Sequence, residues 1–164
     1  MENQKVRIES LVNGIIGITS EDLRIKRTWN TKGSVKTVDL DDLRELIYEP
    51  GIEYMFREGI LGIEDKDVRI ELGLESETST EDTPNMIIPD EKLMNRMLKV
   101  MPFAEFKETL KSIPREQIFE IVQYAIGNEI VDMKKCEVLK QITDIDIVSA
   151  IQLNKADKET VKEA

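Results

Sequence analysis

Basic side chains are concentrated in one short stretch of an otherwise acidic chain. Between Leu23 and Val38 there are five bases and no acid, with a tryptophan among them: Arg24, Lys26, Arg27, Trp29, Lys32 and Lys36. Such cations attract a polyanion or an acidic protein face, and an indole supplies a flat anchor. These six residues are therefore candidates for binding a partner. The alternative is a solvated sheet edge, because lysines on edge strands discourage pairing with other strands.

The composition of the whole chain excludes several kinds of chemistry. The 164 residues carry 23 Lys and Arg against 33 Asp and Glu, a formal net charge of −10, which argues against nucleic acid as the partner. There is no histidine, so Ser-His-Asp and Cys-His catalysis and His-based metal sites are excluded. Cys136 is the only cysteine, so there is no intramolecular disulfide. The sequence therefore predicts a protein that is not an enzyme, with no catalytic residue, no cofactor and no metal site.

Carboxylates occur in three short runs, at 39–42, 64–67 and 144–146. Paired acids can perform acid–base catalysis or bind divalent cations. None of the runs has the spacing of an EF-hand loop, however, and there is no glycine-rich phosphate loop. The first and last runs coincide with predicted helix starts, where acids stabilise the helix dipole. We therefore interpret all three runs as structural.

The sulfur-containing side chains lie on predicted apolar stripes. Cys136 shares such a stripe with Leu139, so we expect a buried, structural thiol. Met94, Met97 and Met101 recur at helical spacing and are expected in a core. A methionine-rich face is also adaptable enough to bind a partner, and that alternative stays open.

An acidic stretch divides the chain in two. Residues 75–85 contain four acids, one proline and no apolar side chain, so they cannot bury enough surface to offset the entropy of ordering. We predict a flexible linker at 75–85 between a module at 1–74 and a module at 86–164. The expected class is α+β, with a small β-rich N-terminal module containing one or two helices. The C-terminal module is expected to be an all-α bundle of about five short helices with a polar tail.

Strands and a hairpin are predicted to position the basic residues. Apolar residues alternate from Val6 to Val12, and two further strands are predicted at 23–29 and 35–38. The intervening turn signal, Asn30–Gly33, predicts that these two strands form a hairpin, with Gly33 at positive φ.

Trp29 presents a conflict within this predicted hairpin. Period-two alternation places Ile25, Arg27 and Trp29 on the same face of the strand. Trp29 therefore cannot be buried with Ile25 unless Arg27 is paired or reaches solvent at an edge. This conflict favours an exposed or interfacial Trp29.

The remaining elements of the first module follow from caps and apolar spacing. Asp39 is expected to start a helix that buries Leu43, Leu46 and Ile47, and Pro50-Gly51 is expected to end it. One or two helical turns should follow, ending at Gly59. Short strands are predicted at 60–63 and, from the alternation of Val68, Ile70 and Leu72, over 68–72.

The second module shows five apolar stripes at helical spacing. They comprise Leu93, Met94, Met97, Leu98 and Met101; Phe103, Phe106, Leu110 and Ile113; Ile118, Ile121, Val122, Ala125 and Ile126; Met133, Cys136, Leu139 and Ile142; and Ile145, Val148 and Ile151. Thr143 with Asp146 resembles a capping box that starts the fifth helix. The side chains expected inside the bundle are Leu98, Phe106, Ile121, Val122, Leu139 and Val148.

The segments Trp29–Gly33, Val38–Leu43 and Tyr48–Ile63 resemble small accessory structural proteins of tailed bacteriophages that infect Gram-positive hosts. In these, a short β-rich head is followed by an acidic linker and a helical tail. The resemblance covers about residues 5–74 and carries over no catalytic residue. It implies a virion component made in the host cytoplasm, a connector associated with the capsid or with the neck or tail. Its partners would be other virion subunits or copies of itself in a symmetric assembly.

A second function remains open. The chain could be a regulatory adaptor that binds a host or phage enzyme through the acidic linker and the helical module. The N-terminal residues lack a signal-peptide pattern, and no apolar run approaches the length of a membrane span. We therefore expect no membrane partner, and a cytoplasmic location if the protein is not part of a virion.

Overall fold

The computed structural model describes residues 3–77 and 86–163, and the chain divides into two compact units, Met1–Ile88 and Pro89–Ala164. Within the described residues there are five strands in two small antiparallel sheets and eight helices, so the class is α+β. The predicted linker lies for the most part, at 78–85, outside the described residues. The two units are described below as the N-terminal unit and the helical unit.

Five strands form the two sheets of the N-terminal unit: β1 (Lys5–Ser10), β2 (Ile16–Ser20), β3 (Ile25–Trp29), β4 (Val35–Asp39) and β5 (Leu61–Ile63). In the first sheet β1 lies between β4 and β5, and Ile8 is opposite both Lys36 and Ile63. In the second sheet β2 pairs with β3, and Ile16 is opposite Trp29. Apolar and polar residues alternate along β1, as predicted.

The predicted hairpin of β3 with β4 is wrong, because the two strands belong to different sheets. The backbone after the turn bonds to the end of β1 instead. Gly33 N–H donates to Ser10 O at 2.9 Å, and Ser10 N–H donates to Ser34 O at 2.9 Å. The turn itself is present, with Gly33 at φ +89° as predicted.

Three helices complete the N-terminal unit: α1 (Leu40–Leu46), α2 (Ile52–Arg57) and α3 (Lys66–Glu71). The strand predicted over 68–72 is wrong, because α3 covers 68–71 and Leu72 is its C-cap. Asp65 explains the difference, since its Oδ1 accepts the N–H groups of Asp67 and Val68 at 2.9 and 3.4 Å and so caps the helix. The alternation of Val68, Ile70 and Leu72 favoured a strand, but the N-cap at Asp65 favours the helix that forms.

The core of the N-terminal unit lies between the sheets and the helices. Its most deeply buried side chains are Val6, Ile8, Trp29, Val38, Leu43, Leu46, Phe56 and Leu61. Burial of such aliphatic and aromatic side chains contributes roughly 1.5–3 kcal/mol each.

Five helices occupy the described part of the helical unit: α4 (Glu91–Lys99), α5 (Phe103–Leu110), α6 (Arg115–Gly127), α7 (Met133–Thr143) and α8 (Ile147–Glu163). Aspartates cap three of them. Asp90 Oδ1 accepts Leu93 N–H, Asp132 Oδ1 accepts Lys135 N–H, and Asp146 Oδ1 accepts Ser149 N–H.

The predicted capping box at Thr143 is wrong. Thr143 is the last residue of α7, and its hydroxyl donates to Leu139 O at 2.7 Å. Asp146 itself precedes α8 and caps it. The helix therefore begins later than predicted, which buries Ile147 and leaves Val148 only half-buried.

The other side chains predicted inside the bundle are buried. These are Leu98, Phe106, Ile121, Val122 and Leu139. No helix of residues 3–77 and 86–163 combines the length and the apolar character that a membrane crossing requires.

Candidate functional site

Trp29 is a core residue, so the expectation of an exposed or interfacial indole is wrong. Its side chain is 0% exposed, and its Nε1–H donates to Ile8 O at 2.9 Å. Trp29 is on β3 and Ile8 is in the centre of the other sheet. The indole therefore joins the two sheets and satisfies its own polar atom inside the core.

Arg27 resolves the conflict that favoured an exposed tryptophan. Its Nε donates to Thr37 O at 3.0 Å, and its Nη1 donates to Lys26 O at 3.0 Å. Arg27 is thus half-buried and bonded to the backbone at the edge of β4. Trp29 can therefore be buried on the same strand face as Ile25, because the guanidinium of Arg27 is hydrogen-bonded to two backbone carbonyls.

The other four candidates remain exposed, and we call Arg24, Lys26, Lys32 and Lys36 the basic surface. Arg24 lies in the turn between β2 and β3, and Lys32 lies in the turn before β4. Lys26 and Lys36 lie on β3 and β4, which the contact of Arg27 with Thr37 brings side by side. None of the four forms an ion pair with another residue of the described ranges.

Five other cations of the N-terminal unit form ion pairs within it. The ion pairs are Lys5 with Asp39, Arg7 with Glu64, Arg44 with Asp41 and Glu71, Arg57 with Glu53, and Arg69 with Glu75. The four residues of the basic surface differ from these cations because none of them forms an ion pair with a described residue. Their charged groups are therefore exposed to solvent.

Two arginines protect the edges of the three-stranded sheet. Arg27 donates to Thr37 O on β4, and Arg69 Nη1 donates to Ile63 O on β5 at 2.6 Å. Both strands lie at the edge of the sheet. Each arginine occupies a backbone acceptor that another strand would need for pairing.

A cleft of about 600 Å³ lies beside β5 and was missed by the sequence analysis. Its apolar lining comprises Leu11, Val35, Phe56, Leu61, Ile63, Leu74, Met86 and Ile88, and its polar lining includes Arg7 and Arg69. Both arginines are paired with glutamates, at 3.1 and 2.7 Å. The cleft is within the size range of ligand pockets, but its cations are already compensated.

Gly62 is the sequence signal that could have indicated this cleft. A Cβ at residue 62 would lie 3.0 Å from Leu11 Cδ1, closer than side-chain atoms normally approach. A glycine inside a short apolar strand often marks such a close approach.

Lys135 was also missed, and among the described residues of the helical unit it is the most buried charged one. Its side chain is 3% exposed, and Nζ donates to Met97 O and Met101 O at 2.6 Å each. A third carbonyl, Leu98 O, lies at 3.4 Å, and the Phe106 ring centroid at 5.4 Å. The ammonium group therefore binds the carbonyl end of α4, where a cation complements the helix dipole.

The stripe predicted on α7 is displaced by this lysine. Met133 is 69% exposed, whereas Lys135 faces inward beside Cys136 and Leu139. Spacing alone provided a signal, because Lys135 lies four residues before Leu139 on the same helix face.

The thiol and the methionine stripe have the structural placement that was predicted. Cys136 is 8% exposed, and burial raises the pKa of its thiol because the thiolate is disfavoured away from water. Met94, Met97 and Met101 are all buried. The alternative of a methionine-rich docking face is therefore wrong for these three residues.

The acidic runs act at helix starts. Asp65 and Asp146 are N-caps, and Asp41 and Asp42 lie in the first turn of α1. Within the residues that the structure describes, no group of three or more Cys, Asp or Glu side chains could hold a metal ion.

Comparisons with known proteins give no assignment for the chain. No family model, no curated protein and no solved structure matches it.

Proposed function

We propose that this protein acts through protein–protein contacts and is not an enzyme, and that its basic surface binds an acidic face of a neighbouring protein. The observation that carries the proposal is the set of exposed cations Arg24, Lys26, Lys32 and Lys36, which form no ion pair with described residues. Groups of like charge that are left uncompensated steer an oppositely charged partner and select against like-charged ones.

We place this activity in a tailed-phage particle, as a connector associated with the capsid or with the neck or tail. The support is the resemblance of the N-terminal residues to accessory phage proteins, together with the division of the chain into two compact units. A chain with two units can bind a scaffold with one and a neighbour with the other. Repetition of such weak contacts in a symmetric assembly gives firm attachment.

The proposal includes two modules, at 1–74 and 86–164, that fold separately and are joined by a flexible acidic linker at 75–85. Brief proteolysis of the full chain tests this organisation. We expect first cleavage within 75–85 and two folded fragments, because exposed polar segments are cut before folded ones. First cleavage inside 5–70 with the linker intact would contradict the proposed boundary.

Purified particles of the phage that encodes the chain test the function. Quantitative mass spectrometry should find the chain at a fixed stoichiometry to the other structural proteins. Replacing Arg24, Lys26, Lys32 and Lys36 with Gln should reduce its incorporation, because the attraction to the acidic face is lost. The matched control replaces four exposed lysines of the helical unit with Gln, namely Lys92, Lys99, Lys107 and Lys158. A chain confined to the soluble lysate, or equal incorporation of both variants, would refute the proposal.

A regulatory adaptor is the second candidate, and exposed apolar side chains of the helical unit favour it. Val100 is 73% exposed and Met133 is 69% exposed. The bond of Lys135 to Met101 O brings the start of α7 against the end of α4, so these side chains flank one corner. A monomeric chain that captures one enzyme from the host, and loses it on Val100→Asp and Met133→Asp substitution, would favour this function over the connector.

A further inference from the structure

Tyr48 is an aromatic residue presented to solvent at the end of α1. Its side chain is 84% exposed. Glu45 precedes Tyr48 by three residues and Asp42 precedes Glu45 by three, so each acid lies about one turn from the next member of this group. Neither acid forms an ion pair with other described residues. We call Asp42, Glu45 and Tyr48 the α1 patch, and tyrosines in such positions are frequent anchors of protein interfaces.

The α1 patch lies beside Arg24, at one end of the basic surface. Ser20 Oγ donates to Glu49 Oε1 at 3.0 Å, and Glu49 follows Tyr48 in the chain. Ser20 is also opposite Ile25 in the β2–β3 pair, and Ile25 follows Arg24. Arg24 and Tyr48 therefore flank the same junction, between the β2–β3 turn and the end of α1.

A cationic surface next to an acidic patch is complementary to itself. In a two-fold symmetric contact the same surface is used by both copies, so the cations of each copy can face the acids of the other. We infer that a second copy of this chain binds there, through the basic surface and the α1 patch. This inference rests on the proposed function, because it names the partner of the same basic surface.

Sedimentation of the full chain tests the dimer. At a chain concentration of about 100 µM and about 0.05 M salt we expect a dimer, and about 0.5 M salt should weaken it about tenfold or more by screening. Tyr48→Ala should weaken it about tenfold as well, because an interface anchor is removed. A wild-type chain that is monomeric under all these conditions would overturn the inference.

A charge swap tests the pairing of the two halves. The variant with Arg24→Glu, Lys26→Glu, Lys32→Glu and Lys36→Glu presents acids on both halves. The variant with Asp42→Lys and Glu45→Lys presents bases on both. Each should be monomeric alone, whereas an equimolar mixture should form a heterodimer. Far-UV circular dichroism checks that both are folded. A mixture that stays monomeric shows that the two halves do not face each other and refutes the inference.

The control introduces glutamates in place of lysines in the helical unit, outside the proposed contact. Lys92→Glu with Lys158→Glu should leave the dimer intact, and loss of the dimer in this control would show that net charge alone governs association. A monomeric wild type whose four-glutamine variant still loses incorporation into particles would refute the dimer and leave the proposed function standing. If the chain forms the dimer but is absent from particles, the proposed function is refuted and the dimer stands.

Discussion

The two units each contain a side chain that crosses the core to bind backbone carbonyls, and they use different chemistry to do so. In the N-terminal unit, Trp29 donates to Ile8 O, which is 21 residues earlier in the chain. In the helical unit, Lys135 donates to Met97 O, which is 38 residues earlier. Both donors tie together elements that are distant in sequence.

The difference lies in what each anchor adds to the core. The indole is neutral, fills a large apolar volume and needs one acceptor, so it contributes mainly through burial. The ammonium group carries a charge that is costly to bury, and three carbonyls at the end of α4 with the Phe106 ring offset that cost. Trp29 therefore contributes to the N-terminal unit through packing, whereas Lys135 contributes polar contacts to a helical unit that also buries an apolar core.

Of the substitutions at the two anchors, Trp29→Ala should lower the free energy of unfolding the most. We expect the free energy of unfolding of the N-terminal unit to fall by about 3–5 kcal/mol, because a large buried side chain is replaced by a cavity. Amide hydrogen exchange by NMR measures the loss on β1 separately from the helical unit, which should be unaffected.

Two variants sharpen the result for Trp29. Trp29→Phe keeps most of the packing but removes the hydrogen bond, so it should cost about 1–3 kcal/mol, less than Trp29→Ala. Ile15→Ala, at a side chain that is 74% exposed, should change stability by less than about 0.5 kcal/mol. If Trp29→Ala were as mild as Ile15→Ala, packing around the indole would not hold the unit together.

Lys135→Met should cause the next largest loss of stability. The substitution keeps the length and apolar character of the side chain but leaves the carbonyls at the end of α4 without their donor. We expect the free energy of unfolding of the helical unit to fall by about 1–3 kcal/mol. Exchange protection on α4 and α7 is the appropriate measurement, because the bond joins these two helices.

Lys134→Met is the matched control for Lys135→Met. Lys134 is the preceding residue on the same helix, is exposed, and lies over the Phe103 ring at 5.9 Å. Its loss should cost less than about 0.5 kcal/mol. Equal costs for the two lysines would mean that the buried ammonium contributes no more than an exposed one.

Apolar spacing predicted the α+β class and the buried faces of several helices, because faces that are buried together leave regular patterns. Leu43 and Leu46 on α1, and Ile121 and Val122 on α6, were found from spacing alone. Strand pairing was not predictable in the same way. The turn at Gly33 was recognised, but β4 pairs with β1, and that choice depends on contacts between residues far apart in sequence.

The candidate site could be predicted only in its exposed part. Arg24, Lys26, Lys32 and Lys36 were identified by charge alone and are exposed. Trp29 was misplaced, because the partners that allow Arg27 to share its strand face are carbonyls whose position depends on the fold. Spacing puts Lys135 on the same helix face as Leu139, but the carbonyls that its Nζ binds depend on where α4 ends in the fold.

Asp146 provides the smallest test, because it concerns a cap at the surface rather than an anchor in the core. The N–H of Ser149 donates to its carboxylate at 3.0 Å, and this bond, with Lys140 Nζ at 3.5 Å, lowers the pKa of Asp146 below its ordinary value of 3.8. A carboxylate with a lowered pKa in the folded state stabilises the fold above its unfolded pKa, and this contribution is lost as the pH falls through the folded pKa. Below pH 3.8 we therefore expect hydrogen-exchange protection of the first turn of α8 to decrease.

Two variants at Asp146 separate the cap from the titration. Asp146→Asn keeps a capping oxygen but does not titrate, so the protection of α8 should not show this pH step. Asp146→Ala should lower the protection at every pH. If Asp146→Asn showed the same acid loss as the wild type, another carboxylate would be responsible. In that case the start of α8 would depend on the wider charge of the helical unit rather than on this cap.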